Sequence, residues 1–174
     1  MHFIKWGLLT ISLFTLMGCL EDLSPDSEDL RSDSSVGGAN AAPATEFTAI
    51  TTAGESVLLS DELMTNDAVV LYFTMWCPLC DSHMSHMRSR IMGEYPNVKF
   101  FMVDYVSGTI AQSRSSQVSN GYVSLNMLAD INQTLLNTFD ATMASVIVID
   151  NENKILMNED YKNGSRLIDV LGAL

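Results

Sequence analysis

Positive charge is scarce in this chain. Nine Lys and Arg residues stand against 21 Asp and Glu in 174 residues, a formal net charge of −12. So acidic a surface repels a phosphate backbone, which excludes nucleic acid as a partner, and anionic lipid offers it no electrostatic attraction. Cysteine is nearly as sparse. Cys19, Cys77 and Cys80 are too few to staple a small scaffold, so the fold must rest on a hydrophobic core, and the length suffices for one domain with a core of its own. Closed zinc sites need about four ligands. His83 and His86 are near the Cys77/Cys80 pair in sequence, but four ligands would then wrap round one turn, which favours redox chemistry over zinc. No apolar run approaches the roughly 18 residues of a membrane-spanning helix. Proline occurs four times and never after Pro96, and no internal repeat is present.

What is there begins with a leader. Lys5 precedes the apolar run Gly7 to Leu16, which has the length of a signal-peptide core. The run ends in Leu16-Met17-Gly18-Cys19, which resembles the lipobox of bacterial lipoproteins. That resemblance implies cleavage before Cys19 and lipidation of Cys19. The mature chain would then keep two cysteines and be exported to a compartment where thiol–disulfide chemistry is permitted. Leu20 in place of aspartate weakly favours the outer membrane if the source is Gram-negative; the expected place is a bacterial membrane, facing the periplasm or the cell exterior. Residues 19–46 are acidic and rich in Ser, Gly, Ala and Pro without apolar period. They read as a disordered tether, spanning about 30 Å root-mean-square.

The organising stretch is Val69-Val70-Leu71-Tyr72-Phe73-Thr74-Met75-Trp76-Cys77-Pro78-Leu79-Cys80. A β-rich run stops at Trp76 and a helical pattern begins at the cysteines. Cys77 thus falls at a helix N-terminus, where unpaired N–H groups and the helix dipole favour a thiolate and lower the thiol pKa. Pro78 suits the first helical position. Cys80 sits one turn on, within reach of a small disulfide ring.

The rest of the domain, residues 47–174, reads as alternating elements. Strands are expected at 47–50 and 57–59 around the turn Ala53-Gly54-Glu55, then a short helix from Ser60, a buried strand at 68–74 and a helix at 77–92 stopped by Gly93 and Pro96. A strand at 98–104 completes a right-handed βαβ unit. A partly helical stretch at 108–121, a weak strand at 123–128 and a helix at 131–139 follow. Strands at 145–149 and 154–157 flank the turn Asp150 to Asn153, and Ser165 is placed to cap a last helix ending near Leu174. Within the first long helix, Cys80, Met84, Met87 and Ile91 recur at four, three and four residues, a core-facing stripe.

Strand, Trp-Cys-x-x-Cys and helix in this order resemble the active site of the thioredoxin superfamily. The wider pattern, with Phe47…Gly54-Glu55…Leu59-Ser60 before the cysteines and Ser145-Val146-Ile147-Val148-Ile149-Asp150 after them, resembles its TlpA- and ResA-like branch of tethered thiol–disulfide oxidoreductases. The resemblance implies an α/β fold, a central mixed sheet flanked by helices with an N-terminal β-hairpin extension. It implies Cys77 as exposed nucleophile and Cys80 as buried resolving thiol. Trp76, Pro78, Met143, Ala144 and Ser145 would shape the substrate site. Partners would be a protein thiol or disulfide and an upstream redox partner, the chain acting as a monomer held to the membrane through Cys19. No cofactor beyond the Cys77/Cys80 disulfide is implied.

Three positions depart from that branch. Ala144 stands where a cis-proline is usual, so the Met143–Ala144 bond is expected to be trans and the loop differently shaped. His83 replaces a glutamate three residues after Cys80, on the same helix face, and could accept the Cys80 proton; an exposed, idle histidine is the equal alternative. Ser85 replaces a helix-kinking proline, so a straighter helix is expected. Where thioredoxin carries a buried acid, six residues before the first cysteine, this chain has Leu71. Two other functions compete. Cu(I) could be held by Cys77, Cys80, Met84 and His83, since soft sulfur donors favour it. A thiol peroxidase is the third reading, because Thr74 precedes Cys77 by three residues as in peroxiredoxins.

Overall fold

A computed structural model describes residues 42–174. The leader, Cys19 and most of the tether lie outside the described residues. A five-stranded mixed sheet in the order β5-β4-β3-β6-β7 forms the centre. Strand β3 (Ala68–Thr74) pairs in parallel with β4 (Val98–Asp104), and β4 with β5 (Met127–Ala129). Strand β6 (Ser145–Asp150) runs antiparallel to β3, and β7 (Ile155–Asp160) antiparallel to β6. Every residue of β3 is buried. Such a strand is covered on both faces, which is why it reads as a continuous apolar run rather than an alternating one.

The two faces carry separate cores. Val70, Tyr72, Met102, Val146 and Val148 pack with Met84 and Met87 of the first long helix and with Leu167, Val170 and Leu171 of the last. Leu71, Phe73, Phe101, Val103 and Ile147 pack on the other side with Phe47, Val57, Leu59, Leu63 and Leu135. The hairpin β1 (Thr48–Ile50) and β2 (Ser56–Leu58), the helix α1 (Leu59–Leu63) and the helix α4 (Thr134–Thr138) supply that second layer. Pro43 bridges Lys154, Ala44 is buried, and the Glu46 carboxylate accepts the Ser60 N–H at 3.1 Å. The packed domain therefore includes Pro43, four residues ahead of the expected start at Phe47.

Helix α2 spans Pro78–His86 and then changes its winding, through a π-helical turn at Met87–Ile91 and a 3₁₀ turn at Met92–Glu94. A single straight helix to Met92 does not form. The wider i→i+5 turn keeps Met87 and Ile91 near one face. Cys80, Met84, Met87 and Ile91 are all at zero exposure, the stripe expected from their spacing. Helix α3 occupies Ile110–Ser119, with the Thr109 hydroxyl capping the Gln112 N–H at 3.1 Å. Helix α4 starts three residues late. The buried Asp130 carboxylate accepts the N–H groups of Leu135 and Leu136 at 3.1 and 2.9 Å, and holds residues 131–133 outside the helix. Helix α5 (Ser165–Leu171) is not capped by Ser165. Gly164 takes the cap position at φ +82°, and a Cβ there would lie 2.6 Å from the Tyr161 hydroxyl, so glycine is required.

Candidate active site

Strand β3 delivers the site. Beyond Thr74 the chain turns through Trp76 at φ +61°, its N–H donating to the Thr74 hydroxyl at 3.2 Å. Cys77 follows as the N-cap of α2, extended at φ −83° and ψ 162°, with Pro78 at the first helical position. Its Sγ accepts the Cys80 N–H at 3.2 Å and lies 2.7 Å from Cys80 Sγ. Cys77 is partly accessible and Cys80 buried. The two sulfurs are within hydrogen-bond distance, and either can donate.

Electrostatics act on both sulfurs of the pair. Partial burial and the hydrogen bond with Cys80 push the Cys77 thiol up, against the N–H groups of Cys80 and Leu79 that favour its thiolate. The Cys80 thiol goes down although burial opposes it. Hydrogen bonds from the Cys77 thiol, the Met75 and Cys77 backbone and the Thr74 hydroxyl together stabilise its anion.

Opposite the cysteines lies the connection into β6. No peptide bond among the described residues is cis, so Met143–Ala144 is trans, and Ala144 sits at φ +68°. Met143 is 37% exposed, with its Sδ 3.5 Å from Cys77 Sγ. Ala144 and Ser145 are buried. The Ala144 N–H donates to the Phe73 carbonyl at 3.0 Å, and its carbonyl accepts the Tyr161 N–H at 2.8 Å. The Ser145 hydroxyl accepts the Thr142 N–H at 2.7 Å. Both main-chain groups of Ala144 are thus engaged inside the protein, and Met143 is the one of the three loop residues exposed beside Cys77. Trp76 packs against the α2-side core, while Leu79 and Met75, 49% and 42% exposed, extend an apolar rim around Cys77.

His83 is not an exposed helix histidine: it is 7% exposed. Burial, and then the neighbouring His86, hold its pKa below the usual 6.5. Its Nδ1 lies 3.1 Å from the hydroxyl of Tyr72. Tyr72 is fully buried, and burial, then the nearby Cys80, push its hydroxyl pKa up. Tyr161 stacks on His83 at 4.7 Å between ring centroids and hydrogen-bonds His86 Nδ1. Sequence reasoning missed Tyr72 and Tyr161. Tyr72 was findable: it shares a strand face with Thr74 by the period of two, and is the one hydroxyl in the run Ala68 to Phe73.

The Cu(I) and peroxidase readings draw on residues of this same region. Met84 is at zero exposure within the core, and the His83 Nδ1 is engaged by Tyr72, so the Cu(I) set drawn from the sequence is not assembled. Among the described residues, no group of three or more His, Cys, Asp and Glu side chains could hold a metal ion. The Thr74 hydroxyl of the peroxidase reading accepts the Trp76 N–H at 3.2 Å.

A mixed sheet with parallel β3-β4, antiparallel β6-β7 and a Cys-x-x-Cys at the N-terminus of the helix after β3 is a thioredoxin-like fold carrying a vicinal thiol pair. The chain belongs to the AhpC/TSA family, whose model matches residues 40–157. Among curated proteins, no sequence matches it. Solved structures with the same fold include a thioredoxin-like protein from Aeropyrum pernix (19% identity, 74% of this chain and 89% of that one, TM-score 0.60). Another is the thioredoxin domain of a thiol-disulfide oxidoreductase from Bacteroides vulgatus (16%, 79% and 98%, TM-score 0.61). A third is a secreted disulfide oxidoreductase from Mycobacterium tuberculosis (19%, 74% and 96%, TM-score 0.57). No helix among the described residues is long and apolar enough to cross a membrane.

Proposed function

We propose that the chain is an extracytoplasmic thiol–disulfide oxidoreductase of protein substrates, tethered to a membrane through lipidated Cys19. The observation that carries this reading is the 2.7 Å contact between an accessible Cys77 and a buried Cys80 at a helix N-terminus. In the reducing direction Cys80 holds its proton, and the Cys77 thiolate attacks a substrate disulfide. The substrate S–S bond breaks, one substrate sulfur leaves as thiolate, and a mixed disulfide forms on Cys77. Cys80, once deprotonated, attacks Cys77 Sγ and releases the second substrate sulfur. Two electrons pass to the substrate and the Cys77–Cys80 disulfide remains. The oxidising direction reverses each step. Turnover of a protein disulfide such as that of insulin, with a dithiol as electron source, tests the reading; absence of turnover in both directions overturns it. Export is supported by the leader and by the printed description of the M. tuberculosis relative as secreted.

His83 is the acceptor of the Cys80 proton in this mechanism, and only its neutral form can accept. Since its pKa lies below 6.5, exchange holds steady at neutral pH and falls as pH drops through that lowered value. His83→Ala is expected to slow exchange at neutral pH by about 10²-fold, the lower end of general-base contributions, and to flatten that acid limb. An unchanged pH–rate profile contradicts the role.

A second reading rests on one observation. Met143 Sδ beside Cys77 Sγ, with Cys80, offers three soft sulfur donors of the kind Cu(I) prefers. Stoichiometric Cu(I) uptake that is lost in Met143→Leu would favour a metallochaperone over the redox enzyme.

A further inference from the structure

Tyr161 holds both walls of the cysteine site. It follows β7 directly and is 4% exposed. Its main-chain N–H donates to the Ala144 carbonyl at 2.8 Å, which ties it to the loop whose Met143 Sδ stands 3.5 Å from Cys77 Sγ. Its hydroxyl lies 2.5 Å from His86 Nδ1, in the last turn of α2. Its ring stacks on the imidazole of His83, three residues earlier, with centroids 4.7 Å apart. Residues three apart share a helix face. Two contacts on that face fix the rotation of α2 as well as its position, where a single contact would let the helix roll.

Cys77 caps this same helix and Cys80 lies in its first turn. The nine residues of α2 form a rod of about 13 Å, so a shift at His86 is carried to the sulfurs. The phenol has little freedom of its own. A Cβ on Gly164 would lie 2.6 Å from the Tyr161 hydroxyl and 3.1 Å from Ile91 Cδ1, so the ring sits in a seat that only glycine leaves open. On the other wall, the Ala144 N–H is held by the Phe73 carbonyl of β3, the strand that leads to Cys77.

We propose that Tyr161 is a positioning residue of the exchange reaction: it sets the spacing between Cys77 on α2 and the Met143–Ala144 loop, across which a protein disulfide has to lie. The inference rests on the oxidoreductase reading above, and adds to it a residue that neither reacts nor touches substrate. Its bond to the loop is made by main chain and survives substitution of the side chain. Its bond to α2 is made by the hydroxyl and can be removed alone. Tyr161→Phe therefore keeps the ring on His83 and the bond to Ala144, and releases α2 at His86. A small disulfide reaches Cys77 with no chain to place against the loop. A protein disulfide brings flanking chain that must fit beside Met143 while its sulfur lines up with Cys77 Sγ. A misplacement of about 1 Å costs such a reaction up to roughly 10²-fold, and here the cost falls on the protein substrate.

The test compares two single-turnover rate constants of the reduced full chain. One is thiopyridone release from dipyridyl disulfide. The other is oxidation of the chain by insulin, read by alkylating the remaining thiols and weighing the product. Tyr161→Phe is expected to lower the insulin-to-dipyridyl ratio by roughly 5- to 10-fold, in line with the loss of one hydrogen bond. His86→Ala should give the same fall, and the double variant no more than either single one, because both remove the same bond. His86→Asn, whose amide can meet the Tyr161 hydroxyl where Nδ1 does, should restore most of the ratio. Three results would overturn the assignment: an unchanged ratio in Tyr161→Phe, whether or not both rates fall together; losses that multiply in the double variant; or a ratio in His86→Asn as low as in His86→Ala. A wild-type chain that exchanges with neither disulfide would instead remove the oxidoreductase reading, and the role of Tyr161 with it.

Discussion

Replacing Cys77 with Ser is expected to reduce exchange with protein disulfides by about 10³-fold or more, over 4 kcal/mol of barrier. The thiolate is the nucleophile, and a serine hydroxyl at the same N-cap is not ionised at neutral pH. Cys80→Ser should behave differently. The first attack still occurs, but nothing resolves the product, so a mixed disulfide on Cys77 accumulates and is visible as an added substrate mass. The asymmetry follows from position: Cys77 is partly accessible at the start of α2, while Cys80 lies one turn in at zero exposure. If Cys80→Ser, and not Cys77→Ser, abolished the first covalent step, the order of the two sulfurs would be reversed. The lowered Cys80 thiol makes this a real test rather than a formality.

Phe73→Ala is expected to cost about 3–5 kcal/mol, the range for truncating a buried aromatic. Phe73 is at zero exposure in the hairpin-side core, tilted against Tyr105 with centroids 6.4 Å apart. Its carbonyl also accepts the Ala144 N–H, so β3 at this residue fixes the loop facing the cysteines. A loss of that size is a large share of the roughly 5–15 kcal/mol by which domains are stable. Urea unfolding should show a lower midpoint at an unchanged m-value. A loss below about 1 kcal/mol would mean that the second core does not carry the sheet.

The strands and the paired cysteines were legible because each has a local cause. Ala68–Thr74 and Val98–Asp104 are apolar runs bounded by polar residues, and both form over the lengths read from sequence. The stripe Cys80, Met84, Met87 and Ile91 needed only helical spacing. What the sequence hid was set by groups distant along the chain. The late start of α4 depends on where the Asp130 carboxylate points. The engagement of both Ala144 main-chain groups depends on Phe73 and Tyr161. His83 could be placed on the face of Cys80 by its three-residue spacing, but whether that face was buried, and that Tyr72 stood against it, depended on β3 packing under α2. The helix terminus is local, whereas the Thr74 hydroxyl and Met75 backbone that favour the Cys80 anion become visible only in the fold.

The central claim is that Cys77 and Cys80 form a reversible two-electron couple. The direct measurement equilibrates the full chain across a series of glutathione redox buffers, traps free thiols by alkylation, and counts by mass the modified thiols on the peptide that contains both cysteines. The account predicts a single reversible transition between zero and two alkylated thiols, with a tenfold change in the ratio for about 30 mV. Two thiols that stay alkylated in every buffer, or that oxidise without returning, would contradict it.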